Sequence, residues 1–222
     1  MTSTPSSLGR RIPRLVVGLA LYGFADALMI EAALGVDPWT VFAQGVAAQT
    51  GLGIGLLTNL IGLAVLALWI PLRQRPGLGT VLNVLLVGPF IELGLWLLPS
   101  AAPAGLGAQI AFFVAGLLLL AVASGVYIGA RLGPGPRDGL MTGLNSRLGW
   151  PIWLGRGLVE GTVLLAGWLL GGNVGLGTVA FALLIGPLCG LTLRWFGVTR
   201  RPAVAPTSWR RPWLPVWSRA RG

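Results

Sequence analysis

Apolar residues gather into six runs along the chain, at about 15–33, 54–72, 78–98, 108–130, 152–170 and 176–197. Glycine-rich or polar stretches separate them. A helix of about 20 apolar residues crosses the ~30 Å hydrocarbon core of a bilayer, so the pattern predicts six membrane-spanning helices. Two further stretches, Trp39 to Gln49 and Arg137 to Leu148, are too short to span. At 1.5 Å per residue, about twelve residues give a helix of ~18 Å, roughly half a bilayer. Asp37 is a good N-cap and Pro38 suits the first turn; Pro136 takes the second role in the later stretch. Gly51 and Gly53, and Gly149 with Pro151, should end these half-helices before the next span.

The two halves of the chain repeat. Leu34-Gly35-Val36-Asp37-Pro38-Trp39 recurs, altered, as Leu132-Gly133-Pro134-Gly135-Pro136-Arg137, an offset of 132 − 34 = 98. The same offset carries Gly77-Leu78-Gly79-Thr80-Val81 onto the identical Gly175-Leu176-Gly177-Thr178-Val179, and Gly88-Pro89 onto Gly186-Pro187. An internal repeat in a membrane protein points toward a transport-type fold. Each repeat holds three spans, an odd number, so the second must enter the membrane from the opposite side. The expected fold is therefore all-α and polytopic: six transmembrane helices in two inverted three-helix repeats, each with a short broken or re-entrant helix after its first span. Residues 14–98 form repeat 1 and 108–197 repeat 2, with an N-terminal segment 1–13 and a basic tail 198–222 outside them.

Composition fixes the class. Hydrophobic residues make up 55% of the chain and charged residues 10%, against about 25% charged in soluble domains. All sixteen basic residues are arginine, and there is no histidine. That removes the usual neutral-pH general base and most metal sites, so neither a metal nor a cofactor is expected. Cys189 is the one cysteine and reads as a small packing residue. Arg10, Arg11 and Arg14 before an apolar run resemble a signal peptide, but Asp26 and Glu31 within the run favour a retained first span.

Arginine placement sets orientation. The segments before span 1, between spans 2 and 3, between spans 4 and 5, and after span 6 carry arginine; the loops at 35–53, 99–107 and 171–175 carry none. Both termini are thus expected in the cytoplasm. Trp69, Trp150, Trp153 and Trp195 would form the inner aromatic belt, and Trp39, Trp96 and Trp168 the outer one. The tail from Ser208 to Trp217 alternates Trp and Arg and should lie on anionic inner-leaflet lipid. Arginines that flank spans argue against nucleic acid as the partner.

The six acidic residues, Asp26, Glu31, Asp37, Glu92, Asp138 and Glu160, all fall in spans or motif loops. Carboxylates there must be paired, protonated or in contact with water. Arg156 and Glu160 are four apart and share a helix face, where they form either a structural pair or a substrate and proton site. Their repeat positions are Thr58 and Gly62, so the charges break the symmetry. Asp37, Pro38, Trp39, Arg137, Asp138, Arg156 and Glu160 are the candidate ligand-binding residues; Asp26, Glu31, Glu92 and Glu160 are the candidate proton-coupling ladder. The half-helix N-termini could present partial positive charge to an anionic or polar ligand, or the half-helices could simply lie in the interface. Gly157 with Gly161, and Gly125 with Gly129, have the small-xxx-small spacing that lets helices approach.

The run Gly135-Pro-Arg-Asp-Gly-Leu-Met141, with Leu34-Gly-Val-Asp-Pro-Trp39, Arg156, Glu160 and the glycine motifs after them, resembles the bacterial YczE family, within the YczE/YyaS/YitT group. The resemblance covers about residues 14–197. It implies a polytopic inner-membrane protein suspected of permease activity, and it supplies no substrate. The leading expectation is a small secondary transporter, permease or exporter of an unknown small molecule, with its site between the repeats. A non-transporting scaffold or assembly partner is the alternative, and a passive channel comes third; self-association into a homo-oligomer is compatible with each. No nucleophile with a nearby base suggests an enzyme.

Overall fold

The computed structural model describes residues 8–198. Its eight α-helices are α1 (Leu8–Ala32), α2 (Pro38–Thr50), α3 (Ile54–Ala67), α4 (Leu78–Leu97), α5 (Leu106–Gly129), α6 (Pro136–Leu148), α7 (Ile152–Leu169) and α8 (Leu176–Trp195). No strand occurs among the described residues. Five helices, α1, α4, α5, α7 and α8, are long and apolar enough to cross a membrane. The pair α2–α3 meets the same test together but is bent by 116°, and makes a sixth span only if counted as one broken element. The described chain is thus an all-helical protein with five to six candidate spans. The basic tail beyond residue 198, with its proposed lipid contact, lies outside the described residues.

Local rules account for the boundaries. Asp37 caps α2: its Oδ1 accepts from the amides of Trp39 (3.1 Å) and Thr40 (3.3 Å), and Pro38 occupies the first turn. Gly51 and Gly149 adopt left-handed φ of 72° and 69° and close α2 and α6, the conformation glycine takes at helix C-termini most cheaply. The helix in the second run is shorter than the pattern predicts. Pro71 lacks an amide hydrogen and its ring opposes the Ala67 carbonyl, so α3 stops at Ala67 and the chain continues in tight turns to Arg73. Conversely α1 starts at Leu8, ahead of the predicted 15, which puts Arg10, Arg11 and Arg14 on the helix.

Helix bounds recur at the 98-residue offset: α2 maps onto α6 and α4 onto α8, residue for residue at both ends. Contacts recur as well. A Cβ on Gly18 would press on Tyr127, and one on Gly116 would press on Met29; 18 + 98 = 116 and 29 + 98 = 127, so the two contacts are one contact repeated with its partners exchanged. The amide of Gly79 donates to the Leu132 carbonyl, and that of Gly177 to the Leu34 carbonyl, both at 2.8 Å. The twin Gly-Leu-Gly-Thr-Val segments therefore splice each half onto the motif loop of the other.

The centre of the bundle is α1 against α5, which run antiparallel: Arg11 reaches the Ala130 carbonyl (2.8 Å) at one end, and Met29 meets Gly116 toward the other. Arg14 Nε donates to the Val126 carbonyl (3.1 Å). These arginines sit at the negative end of the α5 dipole. Around this core, α2 packs on α7, and α6 on α3. The glycine spacing on α7 misleads: Gly157 and Gly161 face open space, whereas Gly125 and Gly129 are packed against Phe196 and Arg14.

Candidate functional site

Both half-helices start deep and end at the surface. In α2 the buried residues are Trp39, Thr40, Val41, Ala43 and Gly45, and Ala48 to Thr50 are exposed; α6 runs the same way, from buried Pro136 to exposed Leu148. Each is clamped by the opposite half. Gln44 Oε1 accepts from the Asn173 amide (3.1 Å), and Trp69 Nε1 donates to the Pro136 carbonyl (3.0 Å). The two deep ends meet. Arg137 Nη1, at the start of α6, lies 3.3 Å from Asp37 Oδ1, the cap of α2, with side-chain exposures of 26% and 7%. The Arg137 guanidinium also sits 5.1 Å from the centre of the Trp39 ring, within cation–π range.

A cavity of about 890 Å³ opens beside this contact. All seven candidate ligand-binding residues line it: Asp37, Pro38, Trp39, Arg137, Asp138, Arg156 and Glu160. Its apolar wall includes Val84, Leu120 and Ile185. Arg156 Nε pairs with Glu160 Oε1 at 2.9 Å, with exposures of 55% and 29%. Tyr127 donates its hydroxyl to Asp138 Oδ2 (3.4 Å). Arg137, Arg156 and Arg194 face the cavity alongside Asp37, Asp138 and Glu160, so its fixed charges balance in number.

The two helix N-termini are unequal. The leading amides of α2 are taken by Asp37, the cap that the sequence predicts there. At α6 the cap position is Gly135, which has no side chain, and a Cβ there would meet Tyr127 Oη at 3.3 Å and Asp138 Oδ2 at 3.8 Å. The α6 end is thus the one without a side-chain cap, and Gly135 to Asp138 line the cavity.

The carboxylate ladder does not converge on the cavity. Of Asp26, Glu31, Glu92 and Glu160, Glu160 alone lines it. Asp26 is buried in α1, one turn from the cavity residue Tyr22. Glu31 is half-buried near the end of α1. Glu92 Oε1 accepts from the Gly55 amide at 2.7 Å, where a carboxylate stabilises the positive end of α3. Trp39, on the cavity wall, and Trp69, packed against the start of α6, are buried and leave the aromatic belts, while Trp96, Trp153, Trp168 and Trp195 remain strongly exposed.

Sequence reasoning missed Tyr127 as a cavity residue. The signal was available: both tyrosines of the chain lie in spans, and their rings meet edge to face at 6.1 Å. It also missed Asn59 and Asn83, polar residues within apolar runs that line the cavity.

Residues 9–194 match the model of a family of unknown function, DUF6198. The chain belongs to the DUF6198 family. Two relatives extend this family match over most of the chain. One, from Haemophilus influenzae and described as an uncharacterized protein, is 41% identical over 185 residues, 83% of this chain and 84% of the relative. The other, the uncharacterized membrane protein YczE of Bacillus subtilis, is 33% identical over 199 residues, 86% of this chain and 92% of the relative. No solved structure matches. This DUF6198 protein is therefore a membrane protein of the YczE type.

Proposed function

We propose that this DUF6198 protein is a small secondary transporter of the bacterial inner membrane, with both termini in the cytoplasm and its substrate site in the central cavity. Its halves are read as inverted repeats about a pseudo-two-fold axis in the membrane plane. The observation that carries the reading is the meeting of Arg137 with Asp37 and Trp39 on the cavity wall. Trp39 and Arg137 are equivalent positions of the two repeats, and substrate sites of inverted-repeat transporters lie where the repeats meet at discontinuous helices. The substrate is a small molecule whose polar group is held between Arg137, the uncapped start of α6 and the Arg156–Glu160 pair. If transport is proton-linked, Glu160 is the carboxylate placed to carry the proton.

A scaffold would use the same ion pairs only for packing, and ligand binding separates the two readings. Purified protein in detergent is screened by thermal shift against organic anions, amino acids and peptides, wild type beside Arg137→Gln and Arg137→Lys. A ligand that stabilises wild type, Arg137→Lys less and Arg137→Gln not at all, and that then shows saturable uptake into proteoliposomes, supports the site. Equal stabilisation of all three proteins places binding elsewhere and overturns it.

A further inference from the structure

The two halves differ most at one seam. In the first half α3 packs along α4; in the second, α7 and α8 barely meet. Gly55 and Gly88 are so close that a Cβ on either would strike the other's carbonyl. Asn59 completes the α3–α4 seal. Pro89 has no amide hydrogen to return to the Leu85 carbonyl; Asn59 Nδ2 donates to that carbonyl (3.3 Å), while its Oδ1 accepts from the Gly88 amide (2.9 Å). In the second half the proline recurs as Pro187, but 59 + 98 = 157 is glycine and cannot bridge to the Leu183 carbonyl. Gly157, Gly186 and Gly190 all have open space where a Cβ would stand. A hollow of about 230 Å³ lies in this gap, lined by Pro38, Arg156, Glu160, Phe181, Ala182, Ile185 and Gly186. All but Pro38 belong to α7 and α8, and all but Ala182 also line the central cavity.

An ion pair exposed to hydrocarbon is costly, and the Arg156 and Glu160 side chains are 55% and 29% exposed. The gap therefore suits an occupant that is apolar along the helices and polar at Arg156 and Glu160. We propose that the central cavity is loaded sideways from the bilayer, through the α7–α8 seam, by an amphiphile whose head group carries both an ammonium and an anionic group. The anionic group faces Arg156, the ammonium faces Glu160, and the chain lies against Phe181 and Ile185. This deepens the transporter reading and rests on it for the cavity's role.

The test is native mass spectrometry of the full chain, released from detergent after incubation with lysophosphatidylethanolamine, lysophosphatidylglycerol and dodecyl maltoside in equal amounts. Wild type should retain one lysophosphatidylethanolamine in preference to the other two. Gly186→Leu and Gly157→Asn place side chains in open space, so folding is kept, and each should lower retention by about tenfold or more. The double variant Arg156→Gln/Glu160→Gln should erase the head-group preference while leaving the protein monodisperse. Equal retention of all three probes, retention unaffected by both seam variants, or a dimer that excludes every probe because a second copy covers the seam, would each overturn the proposal. The transporter reading fails separately, if lysophosphatidylethanolamine is retained in this manner yet does not cross proteoliposome membranes faster than in protein-free controls.

Discussion

Asp37 holds the site together at the scale of one residue. The same Oδ1 accepts from two amides of α2 and faces the Arg137 guanidinium. One carboxylate thus caps a helix and joins the two halves of the molecule. Removing one member of such a pair leaves the other charge uncompensated in a poorly hydrated place, at a cost of roughly 3–5 kcal/mol in buried cases. Arg137→Met should therefore destabilise the protein severely, read as a fall in unfolding temperature in detergent. The double variant Asp37→Asn/Arg137→Met should recover a large part of that loss, because asparagine still caps α2 and no lone charge remains. Strictly additive losses would mean that the two side chains do not interact. The cap itself was legible from Asp37-Pro38 alone. Its partner was not, since one hundred residues separate Asp37 from Arg137 and no local pattern connects them.

Among the elements, α4 and α8 make the sharpest comparison. They share bounds, the Gly-Leu-Gly-Thr-Val start and an internal proline, yet α4 is sealed to α3 and α8 stands away from α7. Two positions on the packing helix differ at that seam: Asn59 against Gly157, and Gly55, which touches Gly88, against the exposed Trp153. Asn59→Leu keeps the volume but takes the side-chain donor from the Leu85 carbonyl, whose helical donor position is Pro89, and the side-chain acceptor from the Gly88 amide, so it should cost about 1–3 kcal/mol, visible as a lower unfolding temperature. Gly157→Ala, which meets nothing within 4 Å, should leave stability unchanged or slightly raised, since alanine is the better helix former. A loss at Gly157→Ala equal to that at Asn59→Leu would contradict the open seam. Sequence reading located the half-helices because capping and glycine stop signals are local. It misjudged α3, overlooking Pro71, and it read Gly157 and Gly161 as a close helix contact because small-residue spacing says that a helix can approach another without saying that one is there.

Over the whole molecule, each half grips the other through exchanged copies of the same contacts: Gly18 on Tyr127 with Gly116 on Met29, and Gly79 on Leu132 with Gly177 on Leu34. Such exchange is the mark of a two-fold relation, in which one patch meets its own copy. The offset of 98 made the repeat legible in the sequence, but not that the halves interlock, because exchanged contacts need a third dimension. With α1 antiparallel to α5, equivalent helices cross in opposite senses, which is the basis for reading the repeats as inverted. On the proposed inverted arrangement, the exposed ends of α2 and α6 are expected to face opposite compartments. Thr50 and Leu148 are equivalent positions, both exposed, at those ends. In a Cys189→Ser background, Thr50→Cys should react with a bulky membrane-impermeant maleimide added outside intact cells, and Leu148→Cys only in inside-out vesicles. Thr40→Cys, buried at the deep start of α2, should resist the reagent from both sides. Labelling of Thr50→Cys and Leu148→Cys from one and the same side would place both half-helices on a single face and remove the structural ground for alternating access across the cavity.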